Sequence, residues 1–210
     1  QGEILVFLDS DDILLEGGLN QIGNAFDKNK NLSLYFGSCI YKSGKKIKFT
    51  DKNLLPYGSY LDYVKTIKQP EMLPAFKIEK SKLNFYQFDY RVSGFEHLLY
   101  LKILRNGGMF FRDSKEIRLY DDIGEDRLCI TNPKNYINMR NGYVIHLKSY
   151  WKEFLINNPK ELVVILLKII IYNRLIKRQK YSKISNIISF LFLPIPKVLI
   201  EKFILLFKSN

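Results

Sequence analysis

Near its start the sequence contains an apolar run that ends in three closely spaced carboxylates: Gly2-Glu3-Ile4-Leu5-Val6-Phe7-Leu8-Asp9-Ser10-Asp11-Asp12. The run is typical of a buried β-strand, and the acidic residues follow directly at its end. Carboxylates this close together repel one another unless a metal ion, a helix N-terminus or hydrogen-bond donors compensate their charge. Because open α/β folds bind ligands at the ends of their strands, the segment predicts a cation-binding loop at the rim of a sheet.

Other interpretations of the acidic segment rest on the same residues. Asp11 or Asp12 would serve as the N-cap of a following helix, although a cap alone does not require three acids. An EF-hand calcium loop is excluded, because Ile13 and Leu14 stand where that loop needs an oxygen ligand and a glycine. The segment therefore predicts either a functional cation site or a helix cap.

Length and composition favour a folded α/β protein. The chain has 210 residues, of which 47% are hydrophobic, so it is long enough to bury a core. Its two cysteines, Cys39 and Cys129, and its two histidines, His97 and His146, show no zinc-ligand spacing. A disulfide scaffold and a transition-metal centre are not expected, and any bound metal should be a hard cation held by oxygen, such as Mg²⁺ or Mn²⁺.

Hydrophobic periodicity outlines the order of elements along the chain. Helices are predicted over 14–27 and 95–106 and from residue 133 onward. Strands are predicted over 32–41, 45–49, 72–78, 109–111 and 117–120. This order predicts an α/β domain over 1–130 and a helical segment over 131–210.

A second group of polar residues opens the helix predicted over 95–106. The segment reads Phe95-Glu96-His97-Leu98-Leu99-Tyr100-Leu101-Lys102-Ile103-Leu104-Arg105-Asn106-Gly107-Gly108. Glu96 lies three residues after Ser93, so a capping box, in which both side chains satisfy amides of the first helical turn, is one interpretation. The other is a functional carboxylate held beside a histidine.

Taken together, the two segments resemble family 2 glycosyltransferases of the GT-A fold. The acidic segment is similar to their Asp-x-Asp motif, and the helix at Glu96 is similar to their Glu-Asp motif, with His97 in place of the aspartate. The resemblance covers about 1–128 and implies a GT-A-like half-domain whose first half, which holds the nucleotide base and ribose, precedes the present sequence. A haloacid-dehalogenase-like phosphatase, with Asp9 as nucleophile and Asp121-Asp122 as a second acidic pair, is the alternative enzyme.

The resemblance also implies a role for each residue. Asp9 would contact the ribose of a nucleotide-sugar or the metal, Asp11 would ligate Mg²⁺ or Mn²⁺, and Asp12 would support the nucleotide-sugar loop. Glu96 would act as the base that deprotonates a glycan or lipid-linked acceptor in an inverting transfer, and His97 would be a second candidate for that role. The implied process is cell-surface polysaccharide synthesis.

The C-terminal part of the chain carries most of the net charge of +12, because residues 148–210 contain twelve Lys or Arg and three Asp or Glu. Its apolar runs are shorter than the roughly 20 residues of a membrane-spanning helix. Short apolar segments between cations predict peripheral attachment to an anionic membrane at its cytoplasmic face. The alternatives are a packed helical subdomain, an oligomer interface and a non-catalytic membrane-associated scaffold. No nucleic-acid-binding module is recognisable.

Overall fold

The structure is a computed structural model that describes residues 3–45, 55–66, 71–78, 95–123 and 135–182. The strands in these ranges are β1 (Ile4–Val6), β2 (Ile13–Leu14), β3 (Leu32–Tyr41), β4 (Tyr57–Gly58), β5 (Leu73–Lys77) and β6 (Met109–Tyr120). The helices are α1 (Gly18–Lys28), α2 (Tyr60–Lys65), α3 (Glu96–Arg105), α4 (Tyr136–Asn157) and α5 (Pro159–Ser182).

These strands form one mixed sheet in the order β1-β5-β3-β6-β2, and β4 also pairs with β6. Strands β3 and β6 run parallel to each other, and the remaining described pairs are antiparallel. The register of β3 and β6 shifts near their middle, where Gly37 lies opposite Asp113 and Ser38 lies opposite Glu116. Beyond this bulge, β6 continues to the strand end that carries the candidate site.

Helices cover both faces of the sheet. Along β3, Leu34 and Phe36 point to one face and Tyr35 to the other, as the twofold period of a strand requires. The Tyr35 face packs against Ile22 and Phe26 of α1. The opposite face packs against α2, α3 and α4 in a larger core that contains Leu34, Phe36, Tyr63, Val64, Met72, Phe76, Leu99, Tyr100, Leu101, Ile103, Leu104, Phe110, Tyr150 and Phe154.

Helices α4 and α5 pack along each other, and both contribute to the folded unit. Tyr150 and Phe154 of α4 belong to the core beneath the sheet, and Ile165 and Tyr172 of α5 are buried. The helical interpretation from residue 133 onward is confirmed over α4 and α5, and residues 183–210 lie outside the described part of the chain. None of the described helices combines the length and apolar character of a membrane-crossing segment.

Most predicted elements are confirmed, and two boundaries are corrected. The strand over 32–41 and the helix opening near Phe95 match β3 and α3. The helix predicted over 14–27 begins four residues later, because Leu14 lies in β2 and pairs with Arg118 of β6. The two short strands predicted over 109–120 form the single strand β6, because pairing with β3 carries the strand through its polar middle. Most of the strand predicted over 45–49 lies outside the described residues.

Candidate functional site

The three carboxylates of the acidic segment converge in the loop between β1 and β2. Asp9 and Asp11 are exposed and Asp12 is buried, and one ligand atom of each lies within 4.8 Å of the others. A turn closes the loop, because the Asp12 amide donates a hydrogen bond to the Asp9 carbonyl over 3.2 Å. The predicted acidic cluster is therefore a compact group in which only two members face solvent.

The register of β2 explains why Asp12 is the buried member. Leu14 lies opposite Arg118, so Asp12, two residues earlier, is placed beside the end of β6. Asp12 Oδ2 lies 3.0 Å from Arg118 Nε, a charge contact without hydrogen-bond alignment. Asp12 Oδ1 accepts a hydrogen bond of 3.0 Å from the Asp121 amide. Both carboxylate oxygens of Asp12 are thus engaged by β6 and the residue that follows it.

Arg118 is itself fixed on several sides. Its side chain is 2% exposed, and Nη2 donates to Glu71 Oε1 over 3.0 Å. The guanidinium group also lies over the Tyr120 ring, 4.6 Å from the ring centroid. A buried guanidinium group requires such compensation, because an unpaired charge in a protein interior is strongly unfavourable.

The electrostatics of the loop match a site that binds a cation. Burial raises the pKa of the Asp12 carboxyl, the Asp121 amide and Arg118 act to lower it, and Asp11 and Asp9 raise it further. The field of Asp9 and Asp11 therefore disfavours additional negative charge in the loop and favours a positive ion. Two exposed carboxylates on one loop are the hard oxygen ligands that Mg²⁺ and Mn²⁺ prefer. The residues present fit such a cation, with Asp9 and Asp11 as the available ligands.

Glu96 is exposed at the first position of α3, with Phe95 as the N-cap residue. The capping-box interpretation places Glu96 at the third helical position, which is not the observed arrangement. Burial raises the pKa of Tyr100 well above its ordinary value, and Tyr63, Glu96, Glu71 and Asp9 raise it further. The fold therefore brings Glu96 and Asp9 into the electrostatic surroundings of one tyrosine hydroxyl.

His97 faces the helical hairpin instead. Its Nε2 atom lies 3.2 Å from His146 Nδ1 of α4. Burial lowers the pKa of His97 to about 4, with a further contribution from Lys168. Burial likewise lowers the pKa of His146 to about 3, and His97 and Lys168 act in the same direction. The two imidazoles form a neutral pair at neutral pH.

A glycine allows α4 to approach the start of α3. A Cβ atom on Gly142 would overlap the Phe95 ring, so a side chain at this position would displace that ring. Phe95 also packs edge-on against Tyr143, with ring centroids 4.9 Å apart. Helix α4 therefore supports the residue immediately before Glu96.

The structure adds residues that the sequence analysis did not select. Arg118 contacts Asp12 of the acidic loop, Glu71 contacts Arg118, and Asp9 raises the pKa of Tyr100. The available signal for Arg118 was a charged residue inside an otherwise apolar strand pattern. Glu71 and Tyr100 carry no such signal, because their proximity depends on how the sheet and α3 pack.

Asp121-Asp122 does not join the acidic cluster through its side chains. Asp121 Oδ2 lies 2.8 Å from Lys42 Nζ, and Asp122 Oδ1 accepts a hydrogen bond of 2.8 Å from the Ser43 amide. The Ser43 hydroxyl also donates to Asp122. These contacts hold the turn after β3 against the end of β6. The second acidic pair of the phosphatase alternative thus has a structural use here.

The mixed sheet flanked by helices, with an acidic loop at its rim, defines the GT-A-like α/β fold that the sequence predicted. A crystal structure of S. aureus TarS residues 1–349 in complex with UDP-GlcNAc is similar, with a TM-score of 0.52 and 17% sequence identity. The match covers 81% of this chain and 48% of the TarS chain. The prediction of fold class is confirmed by this likeness.

A second crystal structure of S. aureus TarS residues 1–349 gives a TM-score of 0.49 and 16% identity, over 89% of this chain and 51% of that chain. No protein-family model and no curated protein sequence matches the chain.

Proposed function

We propose that the protein is a glycosyltransferase that uses a nucleotide-sugar donor and a divalent cation. The observation that carries this proposal is the convergence of Asp9 and Asp11, both exposed, on the loop at the rim of a GT-A-like sheet. Glu96 and Asp9 both raise the pKa of the Tyr100 hydroxyl, and Glu96 would supply a carboxylate on the acceptor side. The arrangement supports metal-assisted sugar transfer better than a helix cap, since α1 begins at Gly18 and neither Asp11 nor Asp12 caps it.

The proposed roles within the acidic loop follow from exposure. Asp11 and Asp9 would hold Mg²⁺ or Mn²⁺, and Asp9 would also contact the ribose of the donor. Asp12 would support the nucleotide-sugar loop, because Arg118 and the Asp121 amide already occupy its two oxygens. When bound, the cation neutralises charge that develops on the leaving diphosphate.

Glu96 is the better candidate for the base. Its carboxylate is exposed at the start of α3, whereas the His97 ring is half-buried and contacts His146 of the hairpin. Glu96 would accept the proton of the acceptor hydroxyl as that oxygen attacks the anomeric carbon, which gives an inverting transfer. His97 then acts as a support for the start of α3 rather than as the proton acceptor.

The donor and acceptor follow from the same proposal. The TarS structure contains UDP-GlcNAc, so UDP-GlcNAc is the first donor to test. The acceptor would be a glycan or a lipid-linked saccharide in cell-surface polysaccharide synthesis. Basic and apolar surfaces on the helical hairpin would bring the protein to such an acceptor at the cytoplasmic face of the membrane.

The membrane part of the proposal rests on the exposed side of α5. Val163, Leu166 and Ile170 are exposed apolar residues at intervals of three and four, so they lie on one face of the helix. Arg174 and Lys177 are exposed farther along the same helix. Apolar burial together with cation attraction is the combination by which interfacial helices bind anionic lipid.

The function is tested with the full-length protein and a panel of nucleotide-sugars that includes UDP-GlcNAc. Binding measured by calorimetry with and without Mn²⁺, followed by assay of sugar transfer, should reveal a metal-dependent donor site. A folded protein that binds no nucleotide-sugar would support the scaffold alternative. Trapping of a phosphate group on Asp9 would support the phosphatase alternative.

Membrane attachment is tested by co-sedimentation with neutral and anionic liposomes. Val163→Ser/Ile170→Ser should reduce binding to anionic liposomes. A matched variant with Asn173→Ser should bind as the unmodified protein does. Equal binding to neutral and anionic liposomes would contradict the charge contribution.

A further inference from the structure

We propose that Arg118 is a positioning residue for the acidic loop. It holds Asp12, so that Asp9 and Asp11 stay available as ligands. The inference rests on the proposed function and extends it to a residue that is not one of the proposed ligands. Its basis is the ion pair that joins the acidic loop to the end of β6, 3.0 Å between Asp12 Oδ2 and Arg118 Nε.

The loop is attached to the sheet on both sides of the acidic residues. Before them, the Phe7 amide donates to the Pro74 carbonyl over 3.1 Å. After them, the two-residue strand β2 pairs with β6. Between these points, Asp12 contacts Arg118 and the Asp121 amide. Asp12 therefore links the acidic part of the loop to the end of β6.

Arg118 is held firmly enough to act as such an anchor. Its guanidinium group is bound by Glu71 on one side and lies over the Tyr120 ring on the other. A planar guanidinium that is paired and stacked has little freedom to follow a moving loop. A displacement of Asp12 would break its contact with Arg118, and this penalty favours one loop position.

The ion pair also sets the charge that the loop offers to solvent. Arg118 compensates Asp12, which leaves the exposed carboxylates of Asp9 and Asp11 to meet a divalent cation. Without Arg118, the buried Asp12 would lose its compensating charge, and the loop position that buries it would no longer be favoured. Asp9 and Asp11 would then no longer be held beside each other, and the site would weaken.

Arg112 provides a matched control on the same strand. It is 2% exposed, as Arg118 is, but Nη1 donates to the Leu55 carbonyl over 2.8 Å and Nη2 to Thr66 Oγ1 over 3.1 Å. These partners lie before α2 and at its end, and the guanidinium group also lies over the Phe110 ring, 4.3 Å from its centroid. Its replacement should disturb the fold without a specific effect on cation binding.

The test compares Arg118→Met, Arg118→Lys and Arg112→Met in the full-length protein. Mn²⁺ affinity is measured by electron paramagnetic resonance of the free ion, and kcat and KM for sugar transfer are measured separately. Arg118→Met should weaken Mn²⁺ binding by about 10-fold to 100-fold, as removal of a group that orients metal ligands does. Arg118→Lys should recover part of the affinity, and Arg112→Met should stay within about 3-fold of the unmodified protein.

Each outcome decides the inference. Equal Mn²⁺ affinity in folded Arg118→Met and unmodified protein would overturn it, and so would equal losses in Arg118→Met and Arg112→Met. Asp12→Asn, which keeps the side-chain shape, is the second variant if Arg118→Met does not fold. It should show the loss of affinity instead, and an unchanged affinity there overturns the inference.

If the unmodified protein neither binds Mn²⁺ nor transfers sugar, the proposed function itself fails. An unmodified protein that does both separates the two failures.

Discussion

The two ends of strand β6 each bury an arginine, and they compensate its charge in different ways. Arg118 meets the carboxylates of Asp12 and Glu71, whereas Arg112 meets a carbonyl, a hydroxyl and the rings of Phe110 and Tyr63. Burial lowers the pKa of Arg112 to about 10. Burial acts in the same direction on Arg118, but interactions with Cys39, Glu71 and Asp12 raise its pKa overall.

The buried charge of Arg112 contributes to packing, whereas the buried charge of Arg118 is connected to the candidate site. At the Arg112 end, the guanidinium group donates to the Leu55 carbonyl before α2 and to the Thr66 hydroxyl at the end of α2. At the Arg118 end, the ion pair compensates the one carboxylate of the acidic loop that the register of β2 withdraws from solvent. The same residue type on the same strand therefore serves packing at one end and organises candidate ligands at the other.

The largest effect is expected from removing one of the exposed carboxylates of the acidic loop. Asp11→Asn removes a proposed ligand but leaves the buried ion pair in place. Metal-dependent transfer should fall at least about 10³-fold, because a bound cation contributes several kcal/mol to stabilising the developing charge. The melting temperature should change little, since Asp11 is exposed. Activity within a few-fold of the unmodified protein would exclude Asp11 as a ligand.

The free energies of unfolding of Arg118→Met and Arg112→Met compare the two ends of β6 directly. Arg118→Met leaves the carboxylate of Asp12 buried without its partner, and the free energy of unfolding should fall by about 3–5 kcal/mol. Arg112→Met leaves a carbonyl and a hydroxyl unpaired, and the expected loss is about 1–3 kcal/mol. Urea unfolding followed by circular dichroism provides both values.

The double variant Arg118→Met/Asp12→Leu tests the cause of that difference. It leaves no unpaired charge at the Asp12 position, so it should recover part of the stability lost in Arg118→Met. A double variant that is less stable than Arg118→Met would show that the ion pair is not the origin of the effect.

On the proposed acceptor side of the candidate site, Glu96 is the candidate base. Glu96→Gln keeps the shape of the side chain but removes the proton acceptor, so turnover should fall by about 10²-fold. Stability should be nearly unchanged because Glu96 is exposed at the first position of α3. Near-normal turnover in Glu96→Gln, together with a large loss in His97→Gln, would assign the base to His97.

Near neutral pH the smallest effect is expected at the histidine pair, because both imidazoles stay uncharged there. The pKa of His97 is lowered to about 4 and that of His146 to about 3, so the unfolded chain binds protons more readily below pH 6.5. Stability is therefore fully present above pH 6.5 and decreases as the pH falls toward 4, by up to about 1.4 kcal/mol per pH unit for each histidine. Urea unfolding between pH 4 and 7.5 measures this slope.

His146→Phe is the control for the pH dependence, because it retains a ring at the position that packs against Phe154. The variant should lose less stability on acidification than the unmodified protein, since one of the two titrating bases is absent. Parallel stability curves for the two proteins would show that carboxyl groups elsewhere determine the acid sensitivity.

Local patterns were sufficient for much of the fold. The strand over 32–41 and the start of α3 were predicted correctly, because their apolar periodicity is contained within each segment. The start of α1 was placed too early, because Ile13 and Leu14 follow their pairing with β6 rather than their local pattern. Where sequence reasoning went wrong, a distant partner decided the conformation.

The candidate site shows the same division. The sequence by itself determined that three carboxylates follow β1 and that Glu96 opens a helix, because these features depend on neighbours along the chain. Only the tertiary structure decided that Asp12 is buried against β6 while Asp9 and Asp11 remain exposed. It also decided that His97 meets His146 of α4. These outcomes depend on strand register and on helix packing, which bring together side chains far apart in the sequence.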